Sequence, residues 1–280
     1  MPRQPIKSVA WSRWLLPLAC WVVALTLRFA YSLAPLGSAA EYAGSIVETP
    51  YQILVAATFL GIPTLGLLVA VRRPTTYFGW LFLLVGLFVA LPVVLHAYVQ
   101  VAAPGAGGVV AHPALTAAWL ANWVGLPAYG LLGPLFVLFP TGRPPSRRWY
   151  AVIWFVGATT VSGILSTAFK PGPLPGFAAP AIENPLALAG SASFFAIVQQ
   201  VGLVCLAVGT LASAASLVVR LRSARSDERQ QVKWVAFGAV IYALGLALNI
   251  LGPPAWRPLT SFLYLLALNG WVFTIGMAIL

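Results

Sequence analysis

Residues 77–98, YFGWLFLLVGLFVALPVVLHAY, decide the fold class, because they run without an acid, a lysine or an arginine for the length of a membrane crossing. About 20 apolar residues are needed to span roughly 30 Å of hydrocarbon as a helix rising about 1.5 Å per residue. Arg72, Arg73 and Pro74 stand just before this run. Outward from it, the segments 14–34, 52–71, 115–139, 149–169, 193–219, 234–251 and 260–280 read the same way. The expectation is an all-α integral membrane protein: a short segment 1–13, then a single transmembrane domain of about eight helices over 14–280.

Composition agrees with that reading. Hydrophobic residues make up 60% of the chain and charged residues 8%, against roughly 45–50% and 25% in soluble domains. No stretch is polar enough to form a separate catalytic module. The net charge of +11 sits in short clusters between apolar runs, which points to anionic inner-leaflet lipid and away from nucleic acid as the partner. Cys20 and Cys205 lie inside apolar segments and read as small packing residues.

The connections alternate in charge. One set holds Arg72 and Arg73, then Arg143, Arg147 and Arg148, then Arg220, Arg222, Arg225, Arg229 and Lys233. The other set is nearly free of positive charge: 35–51 with Glu41 and Glu48, 99–114, 170–192, and 252–259 with Arg257. By the positive-inside rule the basic set is cytoplasmic, as is the amino terminus with Arg3, Lys7 and Arg13, and both chain ends then fall on that side. A cleaved signal ending near Ser38–Ala40 is disfavoured, since Arg28 interrupts its apolar run and removing it would break the alternation. A lipoprotein signal ending at Cys20 is rejected, because almost no apolar stretch precedes it.

Prolines 17, 63, 92, 127 and 134 fall inside spans, where each removes a helix hydrogen bond. Gly125, Pro127, Gly130, Gly133 and Pro134 make the fourth segment the most breakable, suited to a moving part or a ligand cleft and equally to structural kinking. Small-residue spacings such as Gly202 to Gly209 permit close helix approach, within the bundle or in a homodimer. Tryptophans and tyrosines near the predicted interfaces, Tyr51 and Tyr98 among them, read as interfacial anchors. No inverted repeat is evident.

Polar groups inside a membrane are costly and are the first place to look for function. Arg28, His96, Asn122, Gln199, Gln200 and Asn249 fall in the outer half of their spans, and Asn269 falls near the middle. This clustering fits a ligand or sensor pocket opening outward, with Glu41, Glu48, His112 and Glu183 at its rim. It also fits a blander reading, in which Arg28 snorkels to the interface and the amides bond neighbouring helices. His96 is a candidate pH switch, imidazole being the side chain that titrates near neutrality. With two histidines and one aspartate, Asp227, the chain offers no metal-ligand cluster, no phosphate-binding glycine loop and no nucleophile with its base. No enzyme activity and no cofactor are expected.

Four stretches carry a family resemblance. FGWLFLLVGL at 78–87 resembles the "IGWLFL" start of a third span, and LFPTGRPPSRRW at 138–149 resembles "LFPDGRLPSRRW", with Thr141 at a commonly acidic position. NPLAL at 184–188 is similar to an outer "NPLG" stretch, and DERQQVKW at 227–234 to "GERQQLKW". In this order they resemble the amino-terminal membrane region of actinobacterial-type sensor histidine kinases. In that family the "IGIAIL" that IGMAIL at 275–280 resembles runs on into a cytoplasmic segment and signalling modules. Neither a phosphoacceptor histidine in a cytoplasmic helix nor a nucleotide-binding motif occurs here, so the resemblance implies an input region: a fragment, a truncated product or a stand-alone relative.

The first expectation is therefore a sensory input module in a bacterial plasma membrane, with a cytoplasmic signalling module in cis or in trans. Arg143, Arg147, Arg148, Arg220, Arg222, Arg229 and Lys233 would lie on its output side. A small transporter or channel is the alternative, weakened by the lack of an inner polar path. A membrane scaffold or assembly partner is the third.

Overall fold

A computed structural model describes residues 9–32, 48–74, 76–102, 111–177, 182–223 and 226–279. It contains α1 (Val9–Ser32), α2 (Glu48–Arg72), α3 (Phe78–Ala102), α4 (His112–Trp123), α5 (Leu126–Leu138), α6 (Tyr150–Phe169), α7 (Ala192–Ser223), α8 (Ser226–Leu251) and α9 (Arg257–Ile279). Among the described residues seven helical segments are long and apolar enough to cross a membrane, with α4 and α5 together making one of them. The chain is an all-α, multi-span membrane protein. The first expected span falls on α1, whose apolar stretch of described side chains is Leu15–Thr26.

Short connections between α2 and α3, α5 and α6, α7 and α8, and α8 and α9 force those neighbours antiparallel. The consequence is one basic face, bearing Arg72, Arg73, Arg143, Arg147, Arg148, Arg222, Arg229 and Lys233, and an opposite face bearing the 170–191 loop. Glycines let the helices meet closely. A Cβ on Gly79 would stand 2.3 Å from the backbone nitrogen of Ala70, and one on Gly66 would stand 2.8 Å from that of Leu83, so α2 and α3 touch backbone to backbone. Gly86 rests on Pro63, where an added Cβ would come to 3.1 Å.

The centre of the bundle is an aromatic cluster from four helices. Phe82, Phe136, Tyr242 and Trp271 are all fully buried, and Trp271 meets Phe136 edge-on at 4.7 Å, with Phe82 and Tyr242 each at 5.8 Å. Such ring contacts fix geometry and add about 0.5–1.5 kcal/mol per pair beyond area burial.

Candidate functional site

A cavity of about 370 Å³ lies among α2, α3, α4, α5 and α9. Its lining starts at Tyr51 in the first turn of α2 and descends through Thr58 to Ile62, a depth of about 16 Å along the helix. Ile62, Val85, Leu132 and Leu268 form its deep end. One turn further toward the basic face, beyond this lining, stand Phe82, Phe136 and Trp271, buried and in contact with one another.

Its wall includes the break between α4 and α5. Val124 still donates to the Leu120 carbonyl at 2.9 Å, but Ala128 closes a tighter turn onto Gly125 at 3.2 Å. The cause is local: Pro127 has no N–H to give to the Trp123 carbonyl, and α5 places it in its first turn, where that N–H would have no helical partner. Gly125 fits because it packs on Pro92, to which a Cβ would come within 3.0 Å. Two helix-disturbing residues on facing helices thus meet at the cavity wall.

The polar lining is uncharged: Tyr51, Thr58, Asn122, Tyr129 and Tyr264. Asn122 is half-buried and its carboxamide makes no hydrogen bond to a described residue. Tyr264 stands beside both Tyr129 and Tyr242, with its ring 5.6 Å from that of Tyr242. The Tyr242 hydroxyl is buried and makes no hydrogen bond of ordinary geometry, although the Tyr264 hydroxyl is its neighbour. Behind Leu126 and Tyr129, a niche of about 60 Å³ is lined by Thr159, Thr160, Thr167 and Gln199. Leu126 and Tyr129 line both spaces.

Of the polar residues singled out in the spans whose side chains are described, Asn122 alone opens into this cavity. Asn269 lies against its wall, donating to Thr58 Oγ1 at 2.8 Å and to the Leu54 carbonyl at 3.1 Å, which ties α9 to α2. His96 lies under the 170–191 loop: its ring stacks on Phe177 at 4.6 Å, and its Nδ1 is 2.8 Å from the Pro92 carbonyl. Gln199 accepts from Lys170 Nζ at 3.2 Å, and Gln200, one residue on, is exposed. Asn249 donates to Ser261 Oγ at 2.8 Å, joining α8 to α9. The structure therefore spreads these residues over separate contacts. His112 opens α4 as an exposed residue, and Glu183 is exposed in the loop, its backbone bridged to Pro173. Arg28 and Glu48 belong to α1 and α2, but their side chains, like all of Glu41, lie outside the described residues.

The 170–191 loop is held from inside by Asn184. Its Nδ2 donates to the Ala168 and Lys170 carbonyls at 3.0 and 2.8 Å, while its Oδ1 accepts from the Leu186 N–H at 3.0 Å. Trp119 also donates to the Ala168 carbonyl, at 2.8 Å, fastening α4 to α6. Leu174, Ile182 and Phe177 then pack on α3 and α4 beside Val99 and Ala118.

On the basic face, Arg220 differs from the other basic residues. Arg143, Arg147, Arg148, Arg222, Arg229 and Lys233 are exposed, whereas Arg220 is buried. Its Nη1 donates to Thr141 Oγ1 at 2.9 Å, and its Nη2 to the carbonyls of Arg143 and, at 3.4 Å, Val137. A cation thus caps the carboxyl end of α5, where the helix dipole favours it. Sequence reading grouped Arg220 with the solvated charges and read Tyr51 as an anchor, and it missed Tyr129, Thr58 and Tyr264 as lining. A tyrosine two residues after a helix-breaking proline was the signal available for Tyr129.

Among the described residues no three His, Cys, Asp or Glu side chains converge as metal ligands would. No protein-family model matches the chain. No curated protein and no solved structure matches it either.

Proposed function

We propose that this chain is the membrane-embedded input module of a bacterial signal-transduction protein of the sensor histidine kinase type. It sits in the plasma membrane with its basic face cytoplasmic and has no catalytic role of its own. One observation carries the reading: α5 is a short helix with the cavity at its start and the Arg220 clasp at its end. Leu126, Ala128, Tyr129 and Leu132 line the cavity, and Arg220 grips Val137, little more than one turn further, and Thr141 in the loop just past the helix end. A ligand that prefers one placement of α5 shifts the population of clasped and released loops, by no more than its differential affinity for the two. The basic residues flanking the clasp face anionic lipid and the signalling module.

Transport would require a polar route through the bundle, and between the cavity and the basic face stands the buried aromatic cluster of Phe82, Phe136 and Trp271. The test is output from the chain joined in frame at Leu280 to a kinase module. Asn122→Leu and Arg220→Lys are expected to change kinase output in membranes by severalfold at equal protein level. Unchanged output from both, with ligand occupancy demonstrated, overturns the sensing reading.

A further inference from the structure

We infer that the ligand of the α2–α3–α4–α5–α9 cavity is an uncharged amphiphile with one hydrogen-bonding head and a medium-length apolar tail. This inference rests on the reading of the cavity as the ligand site, and it names that ligand by class. The lining divides by depth. Tyr51, Thr58, Asn122, Tyr129 and Tyr264 occupy its upper and middle parts, while Ile62, Val85, Leu132 and Leu268 make the deep end aliphatic. A head group therefore sits at the α4–α5 break, and a tail points toward Leu132 and Leu268.

Charge is excluded by what surrounds the space. None of the described residues that line it is an acid, a lysine, an arginine or a histidine. An ion placed there would leave water without a counter-charge, which costs several kcal/mol in a low-dielectric site. A plain hydrocarbon fits no better. It would seal Asn122, which has no hydrogen-bond partner among the described residues, from any hydrogen bond. An alcohol, ester or amide head satisfies that carboxamide and reaches the tyrosine hydroxyls. At about 370 Å³ the cavity falls at the small end of ligand pockets, and its depth of about 16 Å suits a chain of medium length. Such a molecule partitions into the bilayer and reaches the site from the membrane.

The test uses the whole chain in nanodiscs, labelled with a diazirine-bearing octan-1-ol and mapped by mass spectrometry. Adducts are expected on cavity residues of α5 and α9, suppressed by decan-1-ol at about one-tenth the concentration at which decane, decanoate or decyltrimethylammonium acts. Loss of one hydrogen bond corresponds to about tenfold, so Asn122→Leu should raise the decan-1-ol concentration needed by about that factor. Tyr264→Phe, which deletes a single hydroxyl, should do so by a few-fold and guards against misfolding of the first variant. Equal competition by decanoate, decyltrimethylammonium or decane overturns the ligand class, as do adducts scattered over lipid-facing helices that decan-1-ol does not suppress. These readouts report binding alone. Intact binding with unchanged kinase output in the fusion would instead overturn the sensing role.

Discussion

Arg220 Nη1 donates to Thr141 Oγ1 at 2.9 Å, joining the last turns of α7 to the loop that follows α5. The same guanidinium reaches the Val137 and Arg143 carbonyls, the second of which also accepts from Thr141 Oγ1 at 3.3 Å. Arg220→Ala should destabilise the protein by about 1.5–3 kcal/mol, because a charged donor is lost and the buried Val137 carbonyl loses a partner. Arg220→Lys keeps the charge but not the fork and should recover only part of that loss. Thermal unfolding in detergent, read by aromatic circular dichroism, measures both.

Asn184 plays the corresponding part on the opposite face. Asn184→Asp should open the 170–191 loop as effectively as Asn184→Ala, since a carboxylate cannot donate to the Ala168 and Lys170 carbonyls. Hydrogen exchange at the Leu174 and Leu186 amides is expected to accelerate more than tenfold in either variant, in line with about 1.5–3 kcal/mol of lost loop stability. An exchange rate unchanged in Asn184→Asp would show that the carboxamide donors do not hold the loop.

Helix packing supplies a contrast between two glycines. Gly79→Ala places a methyl where Ala70 backbone already stands, at 2.3 Å, and should cost about 1–3 kcal/mol by prising α2 from α3. Gly157, on α6, has nothing within 4 Å of an added Cβ, so Gly157→Ala should be neutral or stabilising by up to about 1 kcal/mol. Melting temperatures of the two variants, side by side, check the pair.

Depth was legible in the sequence and rotation was not. Apolar runs mark the spans, and Pro127 beside Gly125 marks the fourth as breakable; the structure divides it there into α4 and α5. Counting along each helix also places Asn122 at cavity depth. What counting does not give is which neighbour a side chain faces. In spans that are apolar all round there is no polar stripe to orient them, unlike an amphipathic surface helix. Adjacent residues on a helix point about 100° apart, so Gln199 meets Lys170 while Gln200 is exposed. The same limit separates His96, stacked under Phe177, from Asn122, which lines the cavity. Arg220 was hidden differently: burial of one arginine in a basic run depends on the α5–α6 loop folding back over α7.

The central claim is that occupancy of the cavity moves the clasped loop through α5. Its most direct test is a pulsed electron-electron resonance distance between spin labels at Arg143→Cys and Arg222→Cys, both exposed positions flanking the clasp, with Cys20 and Cys205 replaced by alanine. In nanodiscs, saturating decan-1-ol should shift the distance distribution by several ångströms, and Asn122→Leu should abolish the shift at the same concentration. Superimposable distributions with and without decan-1-ol, while photolabelling shows the cavity filled, would contradict the account.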